Sequence, residues 1–472
     1  MVRRGAALGL FAAVAAAASA PDLVSRIARS PAILAPLTRA GTAPFRALCT
    51  AHGCRATMGE MAFARFVNRG DRREVARTRR HEDEVLFGAQ IATKQIAEGV
   101  AACEAAAANG ADWVDLNCGC PIHEATRRGL GSSLLRKKPE KLARLVAGIV
   151  DGSPVPVSVK LRTSADGAED ESYLGHVEAL AGLGASAPAF ATLHGRTARQ
   201  RYAKPADWAA VAAAAAAGGA SLPVFGNGDV LTHYEASARA AAAPAAAGLM
   251  IGRGALVSPW LFDEIEAGAS WLPSPRERVG VYADLAAKYR SHFGDDARGR
   301  SMAAYFLPFH FSWFHRYRPL PEASFGGLDA PLIQSGRDIR AALLDIEGPA
   351  DGLPPLERLL RSPNERAHSA LADALWDSPT SADAAAALAS LATPENLAAW
   401  ADATTADDDA EGTGATRPPR AAGPPKKGRP KRPPSPWAPT SGRKPNGSQL
   451  APSLQTRTFC LYQPRKRPVQ AS

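Results

Sequence analysis

Asn117-Cys118-Gly119-Cys120-Pro121 follows the apolar run Trp113-Val114-Asp115-Leu116 and places thiols where a buried strand should stop. A cysteine there can act as a nucleophile, a metal ligand, a proton donor or packing. The lone C-x-C has no second Cys/His pair at zinc spacing, so no metal is expected. Two glycine-rich segments, Gly226-Asn227-Gly228-Asp229 and Gly252-Arg253-Gly254, offer backbone N–H groups and a forked cation suited to a phosphate. The first lacks the third glycine and the strand–helix–strand setting of a dinucleotide fold. Two such segments in succession point instead to a phosphorylated cofactor. Other polar residues interrupt apolar runs: Gln90 after Phe87-Gly88-Ala89, Lys160 and Arg162 in Val157-Ser158-Val159-Lys160-Leu161-Arg162, and His194 opening His194-Gly195-Arg196-Thr197. Strand alternation sends Lys160 and Arg162 to the same side. Lys160 has apolar neighbours, so its burial needs a partner. That partner is an anionic cofactor or, more plainly, Glu60 or Asp115.

The elements that must position these residues follow from periodicity. Eight short apolar runs, at 32–37, 56–61, 85–91, 113–116, 155–161, 190–193, 224–225 and 249–251, are each followed by a helical stretch. Near-continuous apolar strands alternating with helices mean a parallel sheet covered on both faces. Eight units over some 230 residues fit a (β/α)₈ barrel, whose active sites lie at the C-terminal strand ends. An open doubly wound sheet is the competing α/β solution. From Val279 to Phe293 the apolar spacing becomes helical, and 302–317, 339–346 and 356–360 add amphipathic pieces. The expected organisation is an extension over 1–30, a TIM barrel over 31–271, a smaller all-helical domain over 272–400, and a Pro/Lys/Arg-rich tail over 401–472 that cannot support a core.

The formal charge of +10 belongs to that tail: residues 412–472 carry thirteen Lys/Arg and no Asp or Glu, which leaves −3 over 1–411. A nucleic-acid surface on the body must therefore be a local patch. Six cysteines in 472 residues fit a reducing compartment better than a disulfide framework. Arg3-Arg4, the apolar stretch 6–18 and Ala18-Ser19-Ala20 have the order of a secretory or organellar targeting segment. The stretch is short for a membrane span. Lys426-Lys427-Gly428-Arg429-Pro430-Lys431-Arg432 has the composition of a nuclear localisation signal or a minor-groove hook.

Taken in order, Asn117-x-Gly119-Cys120-Pro121, Lys160-x-Arg162, His194-Gly195-Arg196-Thr197, Gly226-Asn227-Gly228-Asp229 and Gly252-Arg253-Gly254 resemble the tRNA-dihydrouridine synthases. Leu34-Ala35-Pro36-Leu37-Thr38 and the segment Arg201-Tyr202-Ala203-Lys204-Pro205-Ala206-Asp207-Trp208 resemble the eukaryotic branch that modifies the variable loop. The likeness covers about residues 31 to 320. It implies an FMN-binding barrel with a helical tRNA-binding domain behind it. Pro36, Leu37, Thr38, Gln90, Lys160 and His194 would touch FMN. Asn227, Gly228, Asp229, Gly252 and Arg253 would take its phosphate. Asn117, Arg162, Arg196 and Tyr202 would face the uridine, and Cys120 would be the proton donor. NADPH or NADH would reload the flavin.

On this reading the 5,6 double bond of a uridine gains a hydride at C6 and a proton at C5, and a thiol with an ordinary pKa of about 8.5 is still mostly protonated at neutral pH. A uridine inside folded tRNA must be flipped to reach the barrel mouth. Arg127, Arg128, Arg136, Lys137 and Lys138 are the expected backbone contacts, and Trp313-Phe314-His315-Arg316-Tyr317-Arg318 is either a stacking surface or a core helix with a charged face. The partner is tRNA, with no membrane and a monomeric state expected. The cytoplasm or nucleus is the expected location, with mitochondrion or plastid as the alternative. The chain departs from the family at Gly129-Leu130-Gly131-Ser132-Ser133, where three consecutive glycines are usual, and the zinc-finger extension often found before the barrel in this branch is not expected here. The rivals are a small-molecule flavin dehydrogenase of dihydroorotate or dihydropyrimidine type on the same barrel, and a tRNA-binding protein with impaired turnover.

Overall fold

A computed structural model describes residues 19–166, 172–200, 202–327, 330–333, 343–344 and 346–403. The tail with its basic run, Cys460 and the start of the targeting-like segment lie outside the described residues, as does most of the expected helix at 339–346.

Eight parallel strands form the barrel: β1 Ile33–Leu34, β2 Ala56–Met58, β3 Leu86–Ala92, β4 Trp113–Asn117, β5 Val157–Arg162, β6 Phe190–His194, β7 Val224–Asn227 and β8 Gly248–Ile251. Each pairs with its sequence neighbour, and β1 also pairs with β8 (Ile33 beside Met250), which closes the ring. A two-residue piece, Ala62–Phe63, extends the pairing at the end of β3. The fold is therefore the TIM barrel that the eight apolar runs predict. All eight runs become strands.

Alternation along each strand sorts side chains into two cores. Outward-facing Phe87, Ala89, Ile91, Val114, Leu116, Val159, Leu161 and Leu193 join the layer beneath the surrounding helices. The interior begins with an apolar plug of Ile33, Met58, Leu86, Trp113, Phe190, Phe225 and Met250. Gly88 is required there: a Cβ would lie 2.3 Å from the Trp113 ring. Above the plug the interior turns polar, with Gln90, Asp115, Ser158 and Thr192 all buried. A buried polar layer needs internal hydrogen bonds, and the candidate site is built from them.

The helix Ala20–Ile27 departs from the expected organisation. Leu23 and Ile27, one turn apart, are buried against the plug and close the N-terminal end of the barrel. Residues 20–27 thus belong to the barrel rather than to an extension ending at 30. Two turns with only two core residues are too weak a periodic signal to stand out beside a targeting-like composition.

The C-terminal region is helical, with Pro275–Phe293, Ala297–Ala303, Leu307–Phe314, Pro355–Leu360, Glu365–Trp376, Ser381–Leu391 and Pro394–Ala399. The first of these opens on a capping box, Ser274 with Glu277. The expected boundary at 272 falls between elements, but barrel and helices share one continuous core and one compact unit. The Thr42 hydroxyl hydrogen-bonds the Tyr289 hydroxyl at 2.7 Å, Tyr289 meets His310 Nε2 at 3.0 Å, and the His310 ring stacks on Phe45.

Candidate active site

The C-terminal strand tips bring most of the expected residues together. Register sets Asn117 beside Lys160, Arg162 beside His194, and His194 beside Asn227. The loop carrying Pro36, Leu37 and Thr38 rises from β1 next to the tip of β8, where Leu37 lies against Gly252. Gln90 lies in β3, one layer down, and is buried.

Asn117 controls the thiol loop. Its Oδ1 accepts from the backbone N–H of Cys120 at 2.9 Å and of Gly119 at 3.2 Å, which folds the chain back after β4. Alternation then separates the two cysteines. Cys118 is fully buried in the outer core, whereas Cys120 is half-buried beside Met61, Ala92, Ala125 and Leu130. Burial pushes the Cys120 thiol above its ordinary pKa; a hydrogen bond with the backbone at Ile122 and the charges of Arg162 and Lys160 pull the other way. The sulfur is therefore a protonated thiol at neutral pH, poorly suited to be a thiolate nucleophile and suited to give up a proton.

The serine departure lies next to Cys120. Gly129 and Gly131 both have positive φ, at 71° and 61°, and a Cβ on Gly131 would lie 2.4 Å from the Cys120 carbonyl. Ser132 and Ser133 are in the short 3₁₀ helix Gly131–Arg136, and neither has positive φ. The loop keeps glycine where the backbone demands it.

On the far side of the mouth, Lys160 Nζ donates to Asn227 Oδ1 at 2.9 Å, and Asn227 Nδ2 donates to the Met250 carbonyl at 2.7 Å. Neither plain partner from the sequence takes the ammonium as a hydrogen-bond acceptor: Asp115 holds Gln90 and Ser158, and Glu60 holds the Arg39 N–H. Burial, helped by Arg162, lowers the Lys160 pKa to about 8, with Asp115 and Cys120 opposing. His194 is driven well below its ordinary value, first by burial and then by Arg162, Lys160, Arg196 and Arg253, so it is neutral. Arg196 Nη1 lies 3.3 Å from His194 Nε2. A guanidinium only donates, so Nε2 is the acceptor and the ring proton sits on Nδ1.

Arg196 and Asp229 differ from expectation. Both side chains are fully buried and form a forked pair, with Arg196 Nη2 at 2.7 and 2.6 Å from the two carboxylate oxygens. Asp229 also accepts from Arg253 Nη2 at 2.9 Å and from the Ala206 N–H at 2.7 Å, while Arg196 Nε donates to the Lys204 carbonyl. Arg196 thus has no surface to offer a substrate, and the Asp229 carboxylate is spent on cations. Together they tie Lys204 and Ala206 to the segment after β7 and hold Arg253. Tyr202, expected at the uridine, lies over Arg253, with 3.8 Å from guanidinium carbon to ring centroid. Arg162 donates to the Thr197 carbonyl at 3.0 Å.

The mouth fits an anionic cofactor. Lys160, Arg162, Arg196 and Arg253 outnumber the carboxylates of Asp229 and the deeper Asp115, and burial with the charge of Arg162 makes the Lys160 ammonium costly there. Among the described residues, no group of His, Cys, Asp and Glu could hold a metal ion. Nor is any described helix long and apolar enough to cross a membrane.

The expected RNA contacts divide. Arg127, Arg136 and Lys138 are exposed, and Arg128 and Lys137 partly so. Arg127 pairs with Glu124 and Arg136 with Asp166. In the aromatic run Phe314 and Tyr317 are core residues, and Arg316 is exposed over Trp313. Asp115 and Glu60, expected as partners for Lys160, hold other groups instead, and the acid inside each otherwise apolar run is the only signal of this in the sequence.

A family model described as Dihydrouridine synthase (Dus) matches residues 33–304. The protein named tRNA-dihydrouridine(47) synthase [NAD(P)(+)] from Cryptococcus neoformans is 36% identical over 304 residues, covering 61% of this chain and 41% of that one. A human protein of the same name, ending in "-like", is 34% identical over 335 residues, covering 69% of this chain and 50% of that one. The chain thus spans about half the length of the curated relatives it matches. Morphinone reductase aligns at 15% identity over 52% of this chain and 87% of its own, with a TM-score of 0.36, so the fold assignment rests on the strand pairing itself. By the span of the family match and the order of its strand-tip motifs, the chain belongs to the dihydrouridine synthase family.

Proposed function

We propose that the protein reduces the 5,6 double bond of specific uridines in tRNA, using FMN reloaded by NADPH or NADH. The observation that carries this reading is the placement of Cys120: a thiol kept protonated by burial, fixed through its own N–H by Asn117, and set at a mouth with surplus cations. Bound at the strand tips, FMN would supply the hydride for uridine C6. The chain's own groups do the rest. Pro36, Leu37, Thr38, Gln90, Lys160 and neutral His194 would hold the ring system, with His194 offering its Nδ1–H. Gly228, Gly252 and Arg253 would hold the phosphate, and Asn227 and Asp229 would aim the lysine and the arginine. Asn117 and Arg162 would orient the pyrimidine, and Cys120 would deliver the proton to C5. Arg127, Arg128, Arg136, Lys137 and Lys138 would grip the phosphate backbone, which makes binding salt-dependent.

The test is Cys120→Ala in the full chain. It should keep its yellow colour, bind tRNA, and lose the two-hydrogen mass gain on tRNA. A protein that takes up no FMN, or a Cys120→Ala variant that still makes dihydrouridine at the parental rate, sinks the reading. Salt-dependent tRNA binding separates it from a small-molecule flavin dehydrogenase, which would show none.

A further inference from the structure

The proposed mechanism uses Cys120 and Asn117 but leaves unexplained the fully buried carboxylate beneath them. Asp115 points into the barrel from β4, in register with Gln90 on one side and Ser158 on the other. Its Oδ1 accepts from the Ser158 hydroxyl at 2.7 Å and its Oδ2 from Gln90 Nε2 at 2.8 Å. Gln90 Oε1 accepts from Asn117 Nδ2 at 2.8 Å, and Asn117 Oδ1 accepts from the N–H groups of Cys120 and Gly119. A leucine here would fill the barrel without the desolvation cost of a buried acid.

We propose that Asp115 is a positioning residue that sets the polarity of an amide relay, Gln90 to Asn117 to the Cys120 N–H; this rests on the reading of Cys120 as the proton donor. The argument is one of donors and acceptors. A carboxylate only accepts, so Gln90 must turn Nε2 towards it. That leaves Oε1 facing Asn117, so Asn117 must turn Nδ2 towards Gln90 and Oδ1 towards the thiol loop. An amide is nearly symmetric in shape and is oriented only by its neighbours. Without an acceptor at 115, Gln90 loses the contact that fixes its sense. A flipped Asn117 would set an NH₂ against two backbone N–H groups and release the turn that holds Cys120. Asp115 is fully buried, with its oxygens on Gln90 and Ser158, and acts through them.

Two variants separate this role from simple packing. In Asp115→Asn, Oδ1 can still accept from Gln90 while Nδ2 donates to the Ser158 hydroxyl oxygen. Asp115→Leu keeps the volume and removes the acceptor. The first readout needs no turnover: the alkylation rate of Cys120 by iodoacetamide in the full-length protein, read by mass on the Cys120 peptide. Asp115→Leu should change that rate at least about fivefold, the factor carried by one net buried hydrogen bond. Asp115→Asn should stay within about twofold of the parent. The second readout is tRNA reduction. Asp115→Leu should lower kcat with KM for tRNA unchanged, and Asp115→Asn should restore it. If Asp115→Leu does not fold, Gln90→Met cuts the next link and must shift the alkylation rate in the same way. An unchanged rate in whichever acceptor-free variant folds, or equal shifts in Asp115→Asn and Asp115→Leu, overturns the relay. Should the parent make no dihydrouridine, the function fails while the alkylation series still decides the relay.

Discussion

Lys160 makes the proposed cofactor site measurable through protons. Burial and Arg162 hold its pKa at about 8, with the facing groups Asp115 and Cys120 pulling upward and Asn227 accepting from Nζ. At pH 8 about half of the flavin-free molecules therefore carry a neutral lysine. Hydrogen-bond acceptors of a bound FMN beside the ammonium would select the charged form, so FMN binding should take up about 0.5 proton at pH 8, about 0.1 at pH 7 and about 0.9 at pH 9. The apparent affinity should be flat below pH 7 and fall about tenfold per unit above 8. In the free protein the same shift is a penalty. The unfolded chain binds the proton more tightly between pH 8 and 10.5, so stability rises with pH across that window, and Lys160→Met should stabilise the apo protein at neutral pH by up to about 3 kcal/mol. The assay is titration calorimetry of FMN into apo protein at pH 8, in two buffers of different ionisation heat. A heat independent of buffer, or equal proton uptake by Lys160→Met, would refute the reasoning.

Three further outcomes follow from the same geometry. Asp229→Ala leaves Arg196 buried without its carboxylate; it should lower unfolding free energy by about 3–5 kcal/mol in urea melts and weaken FMN binding because Arg253 loses its aim. Gly88→Ala drives a methyl into the Trp113 ring and should destabilise by about 1–3 kcal/mol, with the midpoint shifting and the denaturant slope unchanged. Asp115 is raised by burial from 3.8 to about 6, so its favourable contribution is complete below pH 4 and lost as the pH passes 6. Asp115→Asn should therefore be more stable than the parent above pH 6, by up to about 3 kcal/mol, with a flatter profile between pH 4 and 6 in thermal melts.

What the sequence determined by itself is the strand set and the polar ring on it. Both are local. Short apolar runs, each followed by a helical stretch, read as the strands of a covered parallel sheet, and the residue that ends each buried run emerges at the same edge of a parallel barrel. Lys160, His194, Asn117 and Asn227 could thus be placed at one mouth without coordinates. Tertiary structure decided what those side chains do for one another. Arg196 is expected at the uridine from His194-Gly195-Arg196-Thr197, and only the approach of the segment after β7 delivers Asp229 and buries both. Asp115 is expected as a partner for Lys160 until Gln90 and Ser158 arrive from β3 and β5 at the same height and take its oxygens. Leu23 and Ile27 belong to a leader by composition and to the barrel plug by contact. Periodicity records which face a residue occupies, whereas hydrogen-bond and charge partners are set by chains that meet from tens of residues away.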